Sequence, residues 1–339
     1  MLTEKENFLM LLNGEQPEWV PNYNFWTLPK DDPNLAVLFV APPFLDTHRA
    51  VGKGGRDIWG VNYVPGEEAG GATLPEPNNF ILDDVTRWRD IIKAPDVSGY
   101  NWEKIVKDQL DGTGLDRKKN LVSFNVHFGY FQLLMSFMGF TEGLCALHEE
   151  PEEVKALLHY LADFYCDVTE NMIDHYKPDI LSLQDDTAAW GAPFISRGMY
   201  DDILVPVYDR HAKFARDRGI PVSFHNCGKC EGLLEPLVDI GVRMWDPAQT
   251  CNDLVAVKQK FGNKLVIAGG WDGRGRLMEP DVTDEELYES VRVAFDKLAP
   301  GGGYCFCGGF LFAPGDKEAA RKNAVILRAV DELGHSFYN

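Results

Sequence analysis

The chain has 339 residues, 45% of them hydrophobic and 25% charged, with a formal net charge of −19. That composition fits a globular protein in water, and the acidic balance argues against a nucleic-acid surface, which needs clustered lysine and arginine. The length allows two ordinary domains or one large α/β barrel with insertions. Seven cysteines without the spacing of a secreted disulfide framework suit a reducing cytoplasm. Residues 1–6 carry neither the basic region nor the apolar core of a signal peptide, and no apolar run reaches bilayer-spanning length. A cytoplasmic protein with no membrane association is expected.

Thr3 with Glu6 three residues on is a capping-box signature, so a first helix should run through Leu12 and stop near Gly14. Residues 15–21 turn the chain into 22–26, a first strand. Residues 27–120 are rich in proline, glycine and asparagine and show no clean repeat. They are expected to form an elaborated amino-terminal region laid over a barrel as a cover. From residue 121 the pattern becomes regular. Residues 121–127 read as a strand, 130–137 as a helix. Pro151, Glu152 and Glu153 open a long helix, with proline in its first turn and acids at the positive end of its dipole. Its apolar face is Val154, Leu157, Leu158, Leu161, Tyr165, Val168 and Met172. Further strands at 179–184, 222–225, 242–245, 264–268 and 304–307 alternate with helices at 199–218, 232–240, 252–261, 283–298 and 316–333, the last closed by Gly334. Such alternation argues a parallel sheet. The expected fold is α/β, a (β/α)8 TIM-like barrel. It forms one domain over 1–339, with 1–120 as amino-terminal elaboration and 121–339 as the regular part. A doubly wound open sheet is the alternative, but no Gly-x-Gly-x-x-Gly follows a strand.

In such a barrel the chemistry gathers at the carboxyl ends of the strands. Asp185, Asp186, His225, Cys227, Asp246, Trp271, Asp272 and Cys307 all fall at expected strand ends. Val222-Ser223-Phe224-His225-Asn226-Cys227-Gly228 sets an imidazole and a thiol two residues apart, hence on one side of a strand that persists. A second glycine-bounded stretch carries Cys305 and Cys307. One imidazole and two thiolates are donors that zinc favours, and three protein ligands leave a fourth position open. The candidate ligands are therefore His225, Cys227 and Cys307, with Cys305 competing for the third place. The other reading is a satisfied core pair for His225 and Cys227 and a small buried hydrophobe for Cys307. Asp185 and Asp186 are candidate catalytic acids or hydrogen-bonded strand caps. Phe25, Trp26, Trp190 and Trp271 on expected loops, and His127 at an early strand end, are candidate substrate contacts. A Cys227–Cys230 redox pair lacks its usual context.

These stretches resemble the uroporphyrinogen decarboxylase superfamily. The resemblance rests on Leu12-Asn13-Gly14-Glu15-Gln16-Pro17-Glu18-Trp19-Val20-Pro21, on Ile195-Ser196-Arg197 leading into a helix, on residues 219–228, and on the glycine-rich segment around Cys307. It implies a TIM-like barrel. The decarboxylases of the superfamily carry an arginine-rich amino-terminal motif that grips porphyrinogen carboxylates; the matching residues 22–29 contain no arginine. The cobalamin-dependent methyltransferases share a zinc-binding His-x-Cys pair and a later Cys, which His225, Cys227 and Cys307 match. The resemblance thus implies a zinc-dependent methyltransferase of the O-demethylase type. It would move a methyl group between a small methylated substrate, such as an aromatic methyl ether, and a corrinoid protein that carries the cobalamin as a separate partner. A methylcorrinoid:thiol methyltransferase and a metal-free decarboxylase are the alternatives. Homodimers are common among such proteins.

Overall fold

The computed structural model describes residues 2–23, 36–48, 52–66, 72–125, 129–310 and 315–338. Among them are strands β1 (Val37–Val40), β2 (Gly55–Arg56), β3 (Asn62–Pro65), β4 (Thr73–Pro75), β5 (Leu121–Asn125), β6 (Ile180–Gln184), β7 (Val222–His225), β8 (Val242–Ala248), β9 (Val266–Gly269) and β10 (Tyr304–Cys305). Seven of them form one curled sheet in the order β1-β5-β6-β7-β8-β9-β10, while β2, β3 and β4 form a separate three-stranded sheet. Every pairing in the large sheet is parallel, and the small one is antiparallel. Strand order in the large sheet is chain order, with helices in the crossovers, as a βα repeat requires.

Both faces of the large sheet are buried. Val37, Leu121, Ile180, Met244, Val266 and Ala268 point inward, where they meet Phe8, Leu11 and Leu12 of the helix Glu4–Leu12. Their neighbours Leu38, Val122, Leu181, Trp245 and Ile267 belong to the larger core beneath the surrounding helices. Two-sided burial explains why these strands are near-continuous apolar runs instead of alternating ones. The capping boxes at Thr3 and Thr283 are both formed. The seven apolar positions expected to line one face of the long helix are all buried in Pro151–Tyr176.

Three expectations change. Residues 27–120 contain β1, a full member of the main sheet, so the regular part begins before residue 121. Its four residues are flanked by Pro33, Pro42 and Pro43 and are separated from the later rhythm by the small antiparallel sheet, which occupies the β1-to-β5 crossover. Of the expected first strand, Asn22 forms a parallel bridge to Phe306 beside β10, and Tyr23 N–H donates to the Phe306 carbonyl at 2.7 Å; residues 24–26 lie outside the described part. The final helix, Lys317–Ser336, runs past Gly334. That glycine serves close approach instead: a Cβ there would lie 3.0 Å from the Val20 carbonyl oxygen. Among the described residues no helix is long and apolar enough to cross a membrane.

Candidate functional site

Strands β6 and β7 are neighbours with Gln184 opposite His225, so the residues just beyond them emerge together at the carboxyl edge. There one oxygen of Asp186, one nitrogen of His225 and the sulfur of Cys227 all lie within 4.8 Å of one another. His225 Nε2 is 3.5 Å from Cys227 Sγ and 3.9 Å from Asp186 Oδ1. Its other nitrogen, Nδ1, faces Asp246 Oδ1 of β8 at 3.2 Å. The pair is ionic when the ring carries its second proton. It fixes the ring so that Nε2 is turned toward the sulfur and the second carboxylate, as carboxylates do behind metal-binding histidines. Burial works against a charged His225, but Asp246 and Cys227 together outweigh it and hold the imidazole well above its ordinary pKa. Burial also raises the Cys227 thiol, with His225 pulling the other way. A metal arriving here would displace those protons, because it binds the thiolate and the neutral ring.

The loop that carries Cys227 is pinned from several sides. Cys227 N–H donates to Asp186 Oδ1 at 2.8 Å. Gly228 sits at φ +86°, and a Cβ there would come within 2.5 Å of the Ala188 carbonyl oxygen, so only glycine lets the two strand-end loops touch. Buried Asn226 stitches the same loops, accepting from Thr187 N–H at 3.1 Å and donating to Thr187 Oγ1 at 2.8 Å. The Cys230 thiol donates to the Cys227 carbonyl at 2.9 Å, and burial raises its pKa strongly. Both cysteines are free, and Cys230 reads as a packing thiol.

Other sequence candidates fall elsewhere. Asp185 shares the β6 exit with Asp186 but is fully buried and engaged away from the metal-ligand group. It accepts from Phe131 N–H (2.7 Å), Gln132 N–H (3.1 Å) and the Tyr208 hydroxyl (2.6 Å). Burial, set against those hydrogen bonds, lifts its carboxyl to about 7. It caps the helix Tyr130–Met138 and does not face the cavity as an acid. Cys307 does not join the 4.8 Å group. Along with Cys305 it packs into the inner core, because residues two apart on a strand face the same way, and burial raises both thiols well above normal. Among the described residues the third side chain that could join His225 and Cys227 around an ion is Asp186. Trp190 is 45% exposed under the Arg274 guanidinium, 3.7 Å from its ring centre. Trp271 donates to Ser290 Oγ at 2.8 Å and packs on Phe306 and Phe310. Phe25, Trp26 and His127 lie outside the described residues.

A cavity of about 690 Å³ opens beside the cluster, with Asp186 in its lining. Its walls come from the small antiparallel sheet and the helix Tyr130–Met138, and they include Trp59, Tyr63, Phe80, Phe131 and Phe140; neither Trp190 nor Trp271 lines it. Gln132 Nε2 donates to Asp186 Oδ2 at 3.2 Å, tying the helix to the cluster. The sequence did carry a signal for this wall: in Tyr-Phe-Gln-Leu-Leu-Met-Ser-Phe-Met the only polar amide and hydroxymethyl groups, Gln132 and Ser136, fall four apart on one helical face.

With this geometry in hand, comparison with known proteins places the chain. The family model of uroporphyrinogen decarboxylase (URO-D) matches residues 104–326, well over half of the sequence, and the chain belongs to that family. No curated protein matches it. Among solved structures it is similar to a methyltransferase from Methanosarcina mazei, with a TM-score of 0.61 and 12% identity over 100% of both chains; at that identity the likeness is one of fold. A uronate isomerase from Bacillus halodurans aligns with 70% of this chain and 60% of its own at 14% identity, but its TM-score of 0.28 carries no argument.

Proposed function

We propose that the protein is a zinc-dependent methyltransferase of the corrinoid-dependent branch of its family, moving a methyl group from a small aromatic methyl ether to a separate corrinoid protein. The observation that carries this reading is the meeting of Asp186, His225 and Cys227 within 4.8 Å at the edge of an aromatic-walled cavity. An imidazole nitrogen, a thiolate and a carboxylate oxygen are all ordinary zinc donors, so the residues fit the metal that the family resemblance implies. His225, Cys227 and Asp186 would hold it. When bound it would supply Lewis acidity toward the ether oxygen as the methyl group leaves. Asp246 orients His225, Gln132 orients Asp186, and the aromatic walls exclude water from the donor. The methyltransferase of like fold accords with this reading. A decarboxylase acting on a substrate with several carboxylates would need cations to grip them, and the described lining contains no lysine or arginine.

The whole of 1–339 is read as one domain, and its sheet as a closed barrel. Residues 21–23 support that closure: they pair with Phe306 on one side and set Tyr23 against Phe39 of β1, ring centres 5.7 Å apart, on the other. The deciding experiment measures zinc in the purified protein and then mixes it with a reduced corrinoid protein and a panel of methylated phenols, thiols and amines, following the cobalt spectrum. About one zinc per chain and methylation from aryl ethers are expected. Full activity without metal would remove the zinc. Release of carbon dioxide in the absence of corrinoid would replace the whole reading with the decarboxylase.

A further inference from the structure

The inner face of the large sheet is not uniform. On β9 and β10 it is packed with Ala268, Cys305 and Cys307. On β5, β6 and β7 the apolar lining breaks. Val122 and Phe124, Leu181 and Leu183, and Val222 and Phe224 all belong to the outer core, so strand alternation turns Ser123, Ser182 and Ser223 to the interior. All three serines are buried, and among the described residues none of their hydroxyls has a hydrogen-bond partner. Their lateral neighbours show why. Ser123 lies between Phe39 and Ile180, and Ser223 has Met244 on one side. Ser182 lies between Asn125 and Ser223, and neither bonds its hydroxyl. Ser182 and Ser223 are register partners on strands about 4.8 Å apart, a spacing longer than a direct hydroxyl–hydroxyl bond.

We infer that the interior of the curled sheet beneath His225 is a binding site for ordered water, held by Ser123, Ser182 and Ser223. A buried hydroxyl left without a partner is costly, and three on consecutive strands multiply that cost. Each hydroxyl carries one proton and two lone pairs, and water, which bonds to several buried polar groups at once, complements both. Two hydroxyl–water bonds of about 2.8 Å at a tetrahedral angle span about 4.6 Å, which matches the strand spacing between Ser182 and Ser223. Three serines bring no formal charge, so the site suits a neutral ligand. Its floor is closed by Leu121, Ile180 and the helix Glu4–Leu12, which leaves no polar group below to compete for the hydroxyls. Ser223 precedes His225 by two residues on β7, roughly 7 Å along the strand, so the water lies directly under the candidate metal centre. The inference needs neither the zinc nor the methyl-transfer reading.

The test is a high-resolution crystal structure of the full-length protein, beside urea titrations of the parent, Ser182→Ala and Ser223→Ala. Water density within hydrogen-bond distance of at least two of the three serine Oγ atoms is expected. Each alanine variant should lose a bond to that water and unfold at a urea midpoint lower by about 0.3 M. A dry interior in which the hydroxyls turn to strand carbonyls overturns the inference, and so does density for an ion or a larger molecule. A midpoint unchanged or raised in both variants also overturns it, because removing an unpaired hydroxyl from a dry interior is neutral or stabilising. Should neither variant fold, the density in the unaltered protein decides the matter.

Discussion

His225 stands between two carboxylates with different tasks. Asp186 shares its Nε2 side with Cys227, while Asp246 braces Nδ1 from behind. His225→Ala and Cys227→Ala should each strip zinc from an otherwise folded protein, read by metal analysis beside circular dichroism. Asp246→Asn should keep the ligands but weaken zinc binding about 10–100-fold, the usual cost of losing such a brace, measured by competition with a chelator. Because Cys307 sits outside the donor group, Cys307→Ala should leave zinc content near that of the parent and Asp186→Ala should lower it; loss of zinc in the cysteine variant would reverse that assignment. The His-x-Cys pair was legible in the sequence because its spacing is itself the chemistry. The choice between Asp185 and Asp186 was not, since it depends on which way the chain turns as it leaves β6. Nor did alternation alone place Cys307: it set that sulfur beside Cys305, and the pair faces a packed interior.

At the scale of elements, the helix Tyr130–Met138 hangs from β6 by the Asp185 carboxylate. Its approach is possible only because residue 129 is glycine: a Cβ there would fall 2.0 Å from Asp185 Oδ1. Gly129→Ala should therefore cost on the order of 2–4 kcal/mol, read as a fall in the urea midpoint. His211 ties three helices together, its ring between the Tyr130 hydroxyl at 3.1 Å and Thr169 Oγ1 at 2.6 Å. Burial, and secondarily the Arg210 charge, drop its pKa to about 3, against about 6.5 in an unfolded chain. Between those values the unfolded chain binds the extra proton, so this stability is complete above about pH 6.5 and is lost progressively as pH falls toward 3. His211→Gln should flatten the dependence of the urea midpoint on pH across that window. The regular strands and capped helices were readable because period and caps are local properties. Strand β1 was not, because what makes Val37–Val40 a sheet member is its register with Leu121–Phe124, a partner more than eighty residues away in sequence.

For the whole molecule, the net charge of −19 favours a partner with a basic face. The rate of methylation at a limiting concentration of the corrinoid protein should fall as salt is raised, about tenfold between low and several-hundred-millimolar ionic strength, while zinc content stays constant. The broad architecture was visible in the alternation of strand and helix. The wall built by the antiparallel sheet was not, because its strands are short and meet only in three dimensions. Adjacent carboxylates at the end of one strand govern both the cavity and the candidate metal centre: Asp185 holds the backbone of Gln132, and Asp186 holds its side chain. An occupant that shifts that helix would therefore shift Asp186, and an ion held by Asp186 would act back on the helix. Linkage would make the exchange symmetrical: whatever factor a bound ether added to zinc affinity, zinc would add to the affinity for the ether.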